Sequence, residues 1–141
     1  MTEEIEAAVA WWAQTIHGAT QDNDDMMQSG LAAMVAATYP RLTDDQVERF
    51  SKALRVLLRE RLTESWQEAI DKGLPHWGSA ARSLNVDYGP DQMLADAADA
   101  GGFAGRDLYF PMKTHMRIDP GIVEVGCGYR APFVVIYEEA K

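Results

Sequence analysis

Apolar residues recur at three- and four-residue steps through the first half of the chain and at two-residue steps through parts of the second, so helices should give way to strands. Ile5, Ala8, Val9, Trp12 and Ile16 form one stripe, with Glu3, Glu4 and Glu6 where a helix dipole favours negative charge; Trp11 points off it. A second helix should follow the polar run Gln21 to Asp25, continue through Met27, Leu31, Met34 and Val35, and end near Tyr39 because Pro40 follows. The third has the clearest start. Thr43, Asp44, Asp45 and Gln46 match a capping box, and Val47, Phe50, Leu54, Leu57, Leu58, Leu62 and Trp66 then share a face until Gly73 and Pro75 stop it.

Leu84, Val86 and Tyr88 alternate with Ser83, Asn85 and Asp87 as in a short half-buried strand. Gly89 and Pro90 introduce a short Ala-rich helix running to about Asp99, which Gly101 and Gly102 end. Strand, helix and strand in succession leave a crossover or an antiparallel placement open. Thr114 to Asp119 and Ile122 to Cys127 read as a hairpin across Pro120 and Gly121. With those two as the loop, Ile118 faces Val123, Met116 faces Val125 and Thr114 faces Cys127 on an apolar side, while Arg117 meets Glu124 and His115 meets Gly126 on the other. Phe133 to Tyr137 is the final strand. The predicted fold is α+β: three N-terminal amphipathic helices, then a small, mainly antiparallel sheet with one short inserted helix. Residues 1–141 should form a single domain, helical over 1–72 and sheet over 83–138.

The net charge of -9 changes the functional picture more than the composition does. It argues against nucleic acid and anionic membranes, whose binding rests on clustered Lys and Arg. No run of apolar residues reaches the roughly 18 to 20 that a spanning helix needs, and the acidic N-terminus is unlike a signal peptide, so the expected location is cytoplasmic. The excess acid lies before residue 112, with Asp22, Asp24, Asp25, Asp44 and Asp45 its candidate partner-binding residues. The neutral C-terminal part carries the opposite feature, a basic strip of Lys113, His115 and Arg117 with Tyr129 and Arg130 nearby, suited to an anion or an acidic patch.

Catalytic and metal chemistry find little support. Cys127 and His115 would sit on opposite faces of the hairpin, so they make no dyad. His17, His76 and His115 lack metal-ligand spacing. Asp22 to Asp25 open like a calcium loop but meet Met27 where Gly is needed and Ala33 where the bidentate Glu belongs. Gly126 to Arg130 matches no phosphate-binding pattern. The expectation is therefore a non-enzyme with no metal and no cofactor. His76 and Trp77, between Pro75 and Gly78, form an aromatic loop that should pack near the third helix's end.

The segment from Phe110 to Pro132 resembles the C-terminal signature of small uncharacterised bacteriophage and prophage proteins, with its Pro, Lys-Thr, Met, Pro-Gly, alternating Val and Gly-Tyr-x-Ala-Pro. Val86 to Asp91 and Trp11-Trp12 are similar as well. The resemblance covers about half the chain and implies a phage or mobile-element origin, with no assigned activity and no catalytic residue to carry over. Joined to the acidity, it leads to an anti-CRISPR-like inhibitor in the host cytoplasm, whose acidic helices bind a host protein or ribonucleoprotein with a basic surface. The alternatives are a small anionic ligand or nucleotide binder and a structural or accessory phage protein. Trp11 and the Met-rich second helix leave a homodimer open.

Overall fold

The computed structural model describes residues 1–18, 41–87, 89–103, 109–111, 113–128 and 132–140. Helix α1 spans Thr2–Gly18, α2 Asp44–Lys72 and α3 Gln92–Gly101, with a 3-10 turn at Ser79–Arg82. Strands β1 (Ser83–Val86), β2 (Thr114–Asp119), β3 (Ile122–Cys127) and β4 (Val134–Glu138) form one antiparallel sheet in chain order. This is the expected α+β class. The helix expected after Asp25 lies outside the described residues.

Helix α2 begins as its capping box requires, with Gln46 N–H donating to Thr43 Oγ1 at 3.1 Å and Thr43 N–H donating to Gln46 Oε1 at 2.9 Å. It ends where Gly73 turns left-handed at φ 66°, so that Gly73 N–H reaches Ile70 O and Leu74 N–H reaches Ala69 O. Between these ends Phe50, Leu54, Leu58, Leu62 and Trp66 are buried, each aliphatic one contributing about 1.5–3 kcal/mol by leaving water. Leu57, expected on the same face, is half-buried at its edge.

Helix α2 packs against both other helices. Arg55 pairs with Glu6 of α1, and Arg61 Nη1 lies 3.2 Å from the carboxylate of Asp91, the residue that caps α3 by accepting from Met93 N–H. Trp12 sits at the centre, edge-on to Phe110 with ring centroids 5.8 Å apart. Trp11 is half-buried against the same core and edge-on to Trp12, so it adds no exposed apolar patch.

The hairpin takes the predicted register at every pair, from Thr114 with Cys127 to Ile118 with Val123. Gly121 adopts φ 84°, and its amide donates to the buried Glu4 carboxylate at 2.9 Å, locking the turn to α1. Glu4 thus does more than complement a helix dipole. Strand β1 spans Ser83–Val86, with Tyr88 outside the described residues, and pairs antiparallel with β2, so α3 makes no parallel crossover. A bulge in the β3–β4 pairing, where Val123 and Glu124 pair with Tyr137 and Val135, leaves Ile136 unpaired.

Candidate functional site

Leu84, Val86, Met116, Ile118, Val123 and Val125 turn to the helices and are buried. The alternate residues, Asn85, His115, Arg117, Glu124 and Val135, then line the opposite face. On this face Arg117 Nη2 donates to Glu124 Oε2 at 2.9 Å, and Phe133, just before β4, stacks on the guanidinium at 3.9 Å from its centroid. Arg117 Nε is buried beneath and has no hydrogen-bond acceptor among the described residues. His115 Nδ1 lies 3.0 Å from Asn85 Oδ1, which completes a row of paired polar groups with partly exposed apolar neighbours.

At the start of β2, Lys113 holds a left-handed backbone at φ 60° and its ammonium lies 3.0 Å from Asp87. Lys113, His115 and Arg117 of the basic strip are therefore each met by an acceptor of the protein itself. Tyr129 and Arg130 lie outside the described residues, as do Asp22, Asp24 and Asp25. Asp44 and Asp45 stand in the first turn of α2, near His17 at 3.4 Å and Arg49 at 3.0 Å. Cys127 falls on the opposite side of the ribbon from His115, as expected, but at the end of β3 it is exposed and not buried as its place on the apolar side implied. No group of three or more metal-ligating side chains occurs among the described residues.

A buried cluster with no motif of its own along the chain closes one end of the sheet. Arg82 donates to Ile118 O at 2.9 Å, Ser65 O at 3.1 Å, Pro75 O at 2.9 Å and Asp119 Oδ1 at 2.8 Å. Asp119 Oδ2 also accepts from Ser79 Oγ at 3.2 Å and lies 2.7 Å from His76 Nδ1. His76 therefore leaves its neighbour's side: Trp77 remains exposed, with Lys72 Nζ 4.4 Å from its ring. The cluster ties the 75–82 segment to the Asp119 end of β2.

A groove of about 530 Å³ between α2 and α3 is lined by Arg49, Lys52, Ala53, Val56, Leu57, Asp96 and Ala100.

Residues 27–137 match the family model described as the BTG family. The chain belongs to the BTG family. The fold agrees: the BTG/Tob domain of C. elegans FOG-3 superposes with a TM-score of 0.67 at 16% identity, over 98% of this chain and 82% of that one. Among curated proteins none matches the chain in sequence. BTG domains are non-enzymatic, regulatory and eukaryotic, and they bind protein partners. The match corrects the phage resemblance. A Pro-Gly turn between alternating apolar residues suits antiparallel hairpins in unrelated proteins, so that pattern in the C-terminal segment, which lies within the BTG match, is no sign of a phage origin. The anti-CRISPR-like reading falls with it, as do the small-ligand or nucleotide binder and the phage accessory protein. No described helix is long and apolar enough to cross a membrane.

Proposed function

We propose that this BTG domain is a protein-binding adaptor that docks its partner on the open face of the sheet around Arg117. The observation that carries this reading is the clamp on Arg117, whose guanidinium is hydrogen-bonded to Glu124 and stacked on Phe133 while its side chain stays 39% exposed. A cation immobilised before binding loses little side-chain entropy on docking, and Phe133 and Val135 beside it supply apolar area that the fold itself leaves uncovered. Arg117 and His115 of the predicted strip belong to this face. Lys113 stands at its border, tied to Asp87.

Photo-crosslinking in cells tests the reading. A photoreactive residue placed at Asn85 or Val135 should give a discrete protein adduct that Arg117→Glu removes, while one at Glu64 on the exposed side of α2 should give none. Adducts from Glu64 alone, or sheet-face adducts that persist in Arg117→Glu, would refute it.

A further inference from the structure

The two edges of the sheet are finished differently. Beyond β1 the chain closes its own edge, because Asp91 N–H donates to Asn85 O at 3.0 Å, Asp87 N–H donates to Gly89 O at 3.1 Å, and Val86 bridges to Pro90. Beyond β4 no described element pairs. Val134 is 60% and Val135 46% exposed, and the strand contains no Lys, Pro or Gly of the kind that blunts an open edge. The alternate amides and carbonyls that turn away from β3 form a row that an incoming strand can satisfy.

Charge distinguishes the candidate occupants. Glu138 and Glu139 follow the apolar stretch, and Tyr137 Oη donates to Glu3 at 2.7 Å, so three carboxylates gather at the C-terminal end of β4. The hydrogen bond to Glu3, with burial and the charges of Glu3, Glu4 and Glu139 behind it, pushes the Tyr137 hydroxyl up to about 12. A second copy pairing β4 antiparallel would set that end against its own Val134, and β4 holds no Lys or Arg to answer the carboxylates. An antiparallel strand that begins with Lys or Arg would neutralise them. We infer that the outer edge of β4 takes an extended segment of a partner protein, antiparallel and apolar at alternate positions, with basic residues at its N-terminal end. This edge adjoins the Arg117 face at Val135 but offers main-chain groups in place of that face's side chains, and its test needs no knowledge of the partner that binds there.

The probe is a fluorescein-labelled octapeptide, Lys-Arg-Val-Thr-Val-Thr-Val-Thr, titrated into the full chain and followed by anisotropy. It should bind about tenfold more tightly than the same residues with the basic pair placed last, and charge reversal by Glu138→Lys with Glu139→Lys should remove that preference. N-methylation of every second peptide amide should abolish binding in one phase and spare it in the other, since only one edge of the added strand faces β4. Amide exchange should slow at residues 134–138 in the complex. Equal affinity for the two N-methylation phases, unchanged exchange at 134–138, or no binding would overturn the inference. So would a dimer in sedimentation whose formation protects the same amides, because the edge would then belong to a second copy.

Discussion

Replacing Arg82 by Met should be the most damaging single change outside the apolar core. The side chain is 0% exposed and its partner Asp119 2%, so solvent screens the pair very little. Met matches the stem but removes every donor, leaving a buried carboxylate that only Ser79 and His76 still approach and orphaning the acceptors at Ile118, Ser65 and Pro75. Removing one member of such a pair costs about 3–5 kcal/mol, a large share of the roughly 5–15 kcal/mol that holds a domain together. Asp119→Asn keeps an acceptor oxygen for the guanidinium and should cost less, about 1–3 kcal/mol. The double variant should be less destabilised than the two losses added together, by about 0.5–3 kcal/mol. Urea unfolding followed by tryptophan fluorescence measures all three, given comparable m-values. A loss below about 1 kcal/mol for Arg82→Met, or strict additivity in the double variant, would show that the cluster does not hold the 75–82 segment as the hydrogen bonds imply.

Thr43→Ala should cost about 1 kcal/mol in the same assay, because it removes the acceptor for Gln46 N–H at the head of α2. Gly101→Ala should cost about 1–3 kcal/mol, since its new Cβ would lie 2.9 Å from both Gln46 O and the Phe103 ring where α3 meets α2; an unchanged midpoint would show that this junction yields freely. Glu3→Gln should bring the Tyr137 hydroxyl back from about 12 toward its usual 10, visible as an earlier phenolate rise near 295 nm on alkaline titration. A hydroxyl raised in the folded state contributes stability that is complete below its unfolded pKa and is lost as pH climbs through its folded one, so any Glu3 contribution through this bond should disappear between about pH 10 and 12.

Where neighbours in sequence are also neighbours in space, the pattern of residues was enough. The capping box at Thr43, the stripes of α1 and α2 and the hairpin register are each governed by contacts within a few residues or across a two-residue loop, and all three take their expected form. Arg117 was legible as a sheet-face cation opposite Glu124 because that contact follows from the hairpin register alone. Its stacking on Phe133 was not, since it depends on how the bulged β4 lies beside β3. Arg82 and Asp119 escaped notice for a similar reason. An Arg near a turn and an Asp before Pro-Gly look like solvated polar residues until the antiparallel pairing of β1 with β2 brings them together across 37 positions.

Composition and periodicity alone determined the fold class, the absence of any run of apolar residues long enough for a spanning helix, and which face of β1, β2 and β3 is apolar, because water partitions side chains by local period whatever the chain does elsewhere. They could not determine which charges would be buried, which surface would stay open, or that β1 closes its edge while β4 leaves one free. Those properties arise from the meeting of distant segments, where desolvation and hydrogen bonding are settled by tertiary geometry: Glu4 reached a hairpin turn 117 residues away, and that contact has no signature in either segment by itself.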